Sequence, residues 1–200
     1  VLLYHAKAPP FLRGFAGVDI FFVISGYLIA SQVSRQLSED RFSFAGFFER
    51  RIRRIFPALL LIIAIATAGG YFLLLPEDLG SLGTSQIYSA LFASNILFWR
   101  MSFNYFAEGA IFPLLHTWSL GVEEQFYIAA PFAFAFLYRR KGTAMTGVLC
   151  AFAALSLAIF TGGTLLSRSE AFYLAPFRAW EFLAGAIVAI AAPPRPPAGL

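Results

Sequence analysis

Residues 116–131 read HTWSLGVEEQFYIAAP and place a histidine, a serine, two carboxylates and a tyrosine at the head of an apolar segment that continues to residue 138. Side chains three, seven and eleven residues apart share one face of a helix. The spacing therefore predicts one stripe, formed by His116, Ser119, Glu123 and Tyr127. Because ionisable groups at membrane depth are costly and usually face a bundle interior or a wet cavity, this stretch predicts a transmembrane helix with a functional face.

The composition of the whole chain supports a membrane protein. Hydrophobic residues make up 59% of the sequence and charged residues 13%, with a mean hydropathy of +0.72. Soluble proteins carry about 25% charged residues. The net charge of +4 does not indicate nucleic acid, because the basic residues cluster beside apolar segments, where lipid headgroups and membrane topology explain them.

The apolar segments predict an all-α, polytopic transmembrane helix bundle. Predicted spans cover residues 15–33, 57–75, 114–138, 143–166 and 180–192, and residues 1–5 are interpreted as the end of an earlier helix. We expect a fragment of about six or seven helices from a larger bundle, with residues 1–200 in a single domain truncated at both ends.

The segments between these spans are less regular. Residues 34–40, 76–78, 100–113 and 167–178 are predicted as connections, and residues 42–55 as either an interfacial amphipathic helix or the charged foot of the next span. Pro57 would be tolerated because it would lie in a first helical turn. Residues 85–99 are apolar but short and contain polar groups, so the sequence leaves open whether they cross, re-enter or lie in the interface.

Several stretches, taken together, resemble the acyltransferase 3 family of membrane-bound O-acyltransferases, which modify bacterial surface glycans. They are GVDIFFVISGYLI at 17–29, RRIRRIFPAL at 50–59, residues 116–131, and FY at 172–173 with FRAWE at 177–181. These stretches occur in the same order as in the family, and their sequences are similar to those of the branch that acetylates lipopolysaccharide O-antigen and related sugars.

The resemblance implies transfer of an acyl group, above all acetyl from acetyl-CoA, to a carbohydrate hydroxyl at the bacterial cytoplasmic membrane. It implies acyl-CoA as donor substrate, no bound cofactor, contact with membrane lipid, and in this branch often a soluble esterase-like domain after the membrane part. The family has about ten helices and an arginine upstream of the first-helix histidine, at a position before residue 1 here. We therefore expect the fragment alone to be inactive.

The residues of this chemistry can be assigned in part. His5 stands where the family's first-helix histidine falls and is the candidate base, since an imidazole suits proton transfer near neutrality. Glu123 is the second catalytic candidate, to orient or charge-stabilise His5 or to contact the sugar. The candidates for substrate binding are Asp19, His116, Trp118, Ser119 and Tyr127.

Four arginines, Arg50, Arg51, Arg53 and Arg54, are the candidates for binding the acyl donor. Their three-residue spacing brings pairs of them to one helix edge, and the planar guanidinium group suits bidentate phosphate binding. A topology signal with lipid headgroup contact explains the same residues equally well, and the two roles are compatible. No metal site is predicted, because the two histidines and the scattered carboxylates lack ligand spacing.

Two other functions remain open from the sequence. A transporter or flippase for a glycan or lipid-linked substrate would also line a path with intramembrane charges, although it would be expected to show repeated halves or paired broken helices, which are not found. A non-catalytic membrane partner that retains the fold is the third interpretation.

Overall fold

A computed structural model describes residues 16–105, 112–138 and 143–191. The described residues contain helices and no strand, as the sequence predicts. In chain order the helices are α1 (Ala16–Ser38), α2 (Phe44–Leu73), α3 (Pro76–Ala90), α4 (Ser94–Tyr105), α5 (Thr117–Tyr138), α6 (Thr143–Leu166), α7 (Arg168–Tyr173) and α8 (Ala175–Ala191).

Three of these helices are long and apolar enough to cross a membrane: Gly17–Ser38, Phe44–Leu73 and Ala144–Leu166. Large apolar side chains stand exposed along α2, among them Leu61, Ile65 and Phe72. The uncharged part of α2, residues 55–73, is about 28 Å long at roughly 1.5 Å per residue, close to a hydrocarbon core of about 30 Å. Lipid is the solvent that such a surface requires, and the chain is a membrane protein.

Helix α1 is longer than the sequence predicts. It continues through residues 34–38, which were expected to form a connection, and ends at Ser38. Asp40 then adopts a positive φ of 52°, and the amides of Asp40 and Arg41 donate to the carbonyls of Leu37 and Gln36. This hydrogen-bond pattern is the Schellman termination, in which a left-handed residue follows the helix.

Helix α2 joins the arginine-rich segment and the following span into one 30-residue helix. Of the two interpretations left open for residues 42–55, the charged foot of the next span is therefore the correct one. The prediction that Pro57 lies in a first turn is wrong, because Pro57 is inside the helix. Proline removes one backbone hydrogen bond, and membrane helices tolerate this through local adjustment.

Residues 85–99 form no single helix, because the chain breaks between α3 and α4. The break is again a Schellman turn: Phe92 has a φ of 53°, and the amides of Phe92 and Ala93 donate to the carbonyls of Ser89 and Tyr88. Glycine usually occupies such a position, since a side chain there is disfavoured. The ring of Phe56, 5.5 Å away, packs against Phe92 and helps to hold it.

Two predicted connections are helical instead. Residues 76–78 form the first turn of α3, with Pro76 at a position where its missing N–H costs nothing. Residues 168–173 form α7, and α8 begins at Ala175, five residues before the predicted start of that span. Helix α4 likewise extends to Tyr105 into the predicted connection 100–113.

The chain divides into two compact units. The first contains the described residues of Val1–Arg41, Tyr127–Ala158 and Ala179–Leu200, and the second contains those of Phe42–Phe126 and Ile159–Arg178. In the first unit α1 and α8 meet at their backbones, because a Cβ on Gly26 would overlap the backbone of Phe182 and one on Gly185 would overlap that of Val23. In the second, α3 packs against α2 and α4, and α4 packs against α7.

Candidate active site

The arginine-rich N-terminal part of α2, its charged foot, contacts the N-terminal part of α5 through the side chain of Arg51. Its Nε donates to Glu124 Oε1 at 3.3 Å, and its Nη2 lies 4.0 Å from Glu123 Oε1. Both glutamates are 7% exposed, and the guanidinium also lies 5.8 Å from the centre of the Phe47 ring. Two adjacent carboxylates therefore share one arginine in a buried setting, where an unpaired charge would be strongly unfavourable.

The other three members of the arginine cluster are on the exposed side of the same helix. Arg50, Arg53 and Arg54 are exposed, and Arg53 is paired with Glu49 one turn earlier, at 2.8 Å. The side chain of Arg53 is 78% exposed, whereas that of Arg51 is 16% exposed. The cluster thus presents several cations outward and turns one inward.

A second polar group lies close to this site, built around a pair of amides. The Nε2 of Gln125 donates to Asn95 Oδ1 at 2.8 Å and to the carbonyl of Phe92 at 3.2 Å. In return, the Nδ2 of Asn95 donates to Gln125 Oε1 at 3.3 Å and to the carbonyl of Tyr173 at 3.1 Å. Gly121 makes this possible, because a Cβ there would lie 2.8 Å from Asn95 Oδ1.

Hydroxyl groups continue the polar network at the start of α5. Thr117 Oγ1 donates to the carbonyl of Leu114 at 2.7 Å, so in the 2.8 Å contact with Ser89 the serine is the donor. Ser94 donates to the carbonyl of Thr117 at 2.8 Å. Helix α5 is therefore connected by hydrogen bonds to α3 and α4 at its first turn, and by the amide pair two turns later.

Trp118 lies in an aromatic cluster around Arg178. The guanidinium carbon is 6.0 Å from the centre of the Trp118 ring, 5.5 Å from Phe160 and 5.3 Å from Phe172. Arg178 Nε also donates to the carbonyl of Phe172 at 3.2 Å. A buried cation over aromatic faces is a stabilising arrangement, which the sequence did not predict for Trp118 or Arg178.

The predicted stripe on α5 is only partly brought together. His116 is exposed and precedes the first residue of the helix, and its carbonyl accepts a hydrogen bond from Ser119 at 3.2 Å. Glu123 and Tyr127 are buried, at 7% and 4% exposed. Asp19 is half-buried in α1 and belongs, with Tyr127, to the first unit. His5 lies outside the described residues.

Sequence reasoning missed the amide pair and the pairing of Glu124 with Arg51. Gln125 and Asn95 are separated by 30 residues, and no local pattern connects them. The available signal was the concentration of serine, asparagine and glutamine in the short segment 85–99. Such polar residues in apolar helices commonly bond across to a neighbouring helix.

We expect Asn95→Leu to destabilise the fold, since Asn95 is fully buried and its loss leaves Gln125 and the Tyr173 carbonyl without these hydrogen bonds. A buried polar group that loses its partner costs about 1–3 kcal/mol. Thermal unfolding of the purified full-length protein in detergent measures the change.

Asn95→Leu combined with Gln125→Leu should recover part of the loss of stability. Gln86→Leu is the control, because Gln86 bonds to Thr67 at an exposed position. Equal melting temperatures for Asn95→Leu and Gln86→Leu would contradict the prediction.

Among the described residues, no group of three or more histidine, cysteine, aspartate or glutamate side chains is placed to hold a metal ion. The residues near Glu123 are instead an arginine, a second carboxylate and uncharged hydrogen-bonding groups. Carboxylates and hydrogen-bonding groups of this kind are suited to proton transfer and to binding hydroxyl groups.

The helices and the buried polar groups define the class of protein: a helical membrane protein that keeps ionisable side chains inside apolar helices, which is typical of membrane transporters and enzymes. Comparison with known proteins then identifies the family. The acyltransferase 3 profile, described as an acyltransferase domain, matches residues 2–198, and the chain belongs to this family.

Curated relatives agree with that assignment. The chain is 32% identical over 200 residues to O-acetyltransferase OatA of Staphylococcus aureus (strain NCTC 8325 / PS 47), with 97% of this chain and 33% of OatA covered. It is 34% identical over 194 residues to BcsY of Komagataeibacter xylinus, assigned by name as a membrane-bound transacylase, with 94% of this chain and 47% of BcsY covered. The chain therefore spans less than half the length of these relatives. No solved structure matches it.

Proposed function

We propose that the protein is a membrane-bound O-acyltransferase of the bacterial cytoplasmic membrane, which moves an acetyl group from acetyl-CoA to a hydroxyl of a cell-surface carbohydrate within a single membrane domain. The observation that carries the proposal is the buried Glu123, held beside Arg51 at the foot of an arginine-rich helix, in a chain of the acyltransferase 3 family. The name of OatA supports acetyl as the group transferred.

The reaction requires three things of the protein. The sugar hydroxyl must lose its proton as its oxygen attacks the thioester carbonyl, the negative charge that develops on that carbonyl must be stabilised, and the donor must be held. The C–O bond forms as the C–S bond breaks, the sugar leaves as its acetyl ester, and the proton goes to the coenzyme A thiolate. His5 is the proposed base that carries this proton, with Glu123 to stabilise the imidazolium form.

Donor and acceptor binding are divided between two groups of residues in this proposal. The arginine cluster binds the phosphates of coenzyme A through its exposed members, Arg50, Arg53 and Arg54, whose cations are accessible from water. Asp19, His116, Trp118, Ser119 and Tyr127 remain the proposed residues for the carbohydrate. Phe172 is 40% exposed beside Trp118, with ring centres 4.5 Å apart, which offers an aromatic surface on that side.

The test uses the full-length protein and the glycans of its own host. In a deletion strain, mass spectrometry of the surface glycans should show that the acetyl groups are lost while the glycan itself remains. The purified protein in lipid nanodiscs should transfer labelled acetyl from acetyl-CoA to glycan from that strain. Disappearance of the whole glycan would indicate transport instead, and an unchanged acetyl content would contradict the proposal.

A further inference from the structure

The members of the arginine cluster differ in the partners that their positions allow. Arg50, Arg53 and Arg54 are exposed at the foot of α2. Arg51, only 16% exposed at its side chain, directs two of its nitrogens at carboxylates. A coenzyme A phosphate arriving from water therefore meets three exposed guanidinium groups, of which Arg53 also pairs with exposed Glu49, and one that lies against two buried carboxylates.

The contacts of Arg51 make it a poor phosphate ligand. Its Nε is 3.3 Å from Glu124 Oε1 and its Nη2 is 4.0 Å from Glu123 Oε1, and the side chains of these glutamates are 10% and 9% exposed. A phosphate on the same guanidinium would bring a third negative group against two buried carboxylates. Like charges at such distances in a poorly solvated site repel strongly.

The same contacts determine where Glu123 lies. Arg51 joins α2 to α5 across 73 residues of sequence, and its planar fork has a fixed geometry that a flexible lysine lacks. One residue after Glu124, the Gln125–Asn95 pair fixes α5 to α4. Glu123 is thus held between an ion pair at its own level and an amide pair two residues later.

From these contacts we infer that Arg51 is a positioning residue: it holds Glu123 for the transfer reaction, together with Glu124, and does not bind the acyl donor. This assignment rests on the proposed function, because it gives Glu123 a part in acyl transfer. It divides the cluster into one arginine that positions a carboxylate and three that remain for the donor phosphates.

The experiment separates the two roles by steady-state kinetics. Full-length protein in nanodiscs is assayed with acetyl-CoA and host glycan, and Arg51→Gln is compared with Arg53→Gln. For Arg51→Gln we expect kcat to fall by about 100-fold, the size of effect that a misplaced catalytic group produces, with KM for acetyl-CoA within about twofold of the unaltered value. Arg53→Gln should instead raise KM for acetyl-CoA and leave kcat nearly unchanged.

Two further variants extend the test. If Arg51→Gln is poorly produced, Arg51→Lys takes its place, since it retains a charge and should recover part of kcat. Arg51→Gln combined with Glu124→Gln should lose no more than Arg51→Gln alone, because residues that act through one contact are not additive.

The outcomes distinguish this inference from the proposed function. A raised KM for acetyl-CoA with unchanged kcat in Arg51→Gln would make Arg51 a donor ligand and overturn the inference alone. So would additive losses in the double variant. Absence of any transfer from acetyl-CoA by the unaltered full-length protein would overturn the proposed function, and the inference with it.

Discussion

Glu123→Gln in the full-length protein is expected to slow acetyl transfer by about 10²–10⁴-fold, the range associated with loss of acid–base assistance. Glutamine has nearly the same volume, so the buried side chain can remain in place beside Arg51, 4.0 Å from its Nη2. What is lost is the negative charge. In the proposed mechanism that charge stabilises the protonated form of His5, and an uncharged amide cannot replace it.

The measurement is the rate of labelled acetyl transfer at saturating acetyl-CoA, normalised to the amount of folded protein in the membrane. Glu39→Gln is the matched control, because Glu39 is exposed just after α1 and pairs with Arg41. His5→Ala should cause a loss of similar size, and the double variant with Glu123→Gln should be little worse than either single variant, since groups that act as a unit are not additive. If Glu123→Gln kept an activity within a few-fold of normal, Glu123 would have no direct part in the acetyl transfer reaction.

Gly26→Ala is expected to cause a large loss of stability, as is Gly185→Ala, whose Cβ would overlap the backbone of Val23 equally closely. A Cβ at Gly26 overlaps the backbone of Phe182, and neither backbone can be moved as a flexible side chain can. The rings of Phe22 and Phe182 are fully buried and stacked at 4.5 Å beside this contact. Overpacking typically costs about 1–3 kcal/mol. Because two backbones would collide here, we expect a loss in the free energy of unfolding at the upper end of that range or above it.

Gly147→Ala is the control for this prediction. Gly147 is also inside a helix, but a Cβ there meets nothing within 4 Å. Alanine in place of a helix-interior glycine should stabilise by about 0.5–1 kcal/mol. The melting temperature of the full-length protein in detergent should therefore fall for Gly26→Ala and stay level or rise for Gly147→Ala. A level melting temperature in Gly26→Ala would show that α1 and α8 are not in close contact.

Much of the fold could be predicted from the sequence, because apolar length and helical spacing are local properties. The composition predicts a membrane protein, and the helices predicted at 114–138 and 143–166 agree with α5 and α6 to within three residues at either end. Of these two helices, α6 is long and apolar enough to cross a membrane by itself, whereas α5 is not among the candidate spans. The family motifs led to the correct family, which the profile over residues 2–198 confirms. The part of the candidate site at Glu123 was predicted because a carboxylate in an apolar helix is conspicuous in any sequence.

The helix ends were harder to predict, since they depend on contacts made elsewhere. Nothing in residues 85–99 resembles a helix stop, and the break uses Phe92, an aromatic residue in a conformation that normally favours glycine. Its carbonyl accepts a hydrogen bond from Gln125, and its ring packs on Phe56. Both partners come from other helices, so the reason for the break lies outside the segment.

The arginine cluster shows most clearly which features the sequence determines and which depend on the tertiary structure. The sequence by itself determined that four cations lie near the start of one apolar helix and two adjacent carboxylates near the start of another, and the cost of charge in lipid makes that arrangement informative. Only the tertiary structure decided that Arg51, and not its neighbours, turns inward to Glu123 and Glu124. Helical spacing relates residues within one helix, whereas the choice of partner depends on which face of α2 packs against α5, and that choice belongs to the fold as a whole.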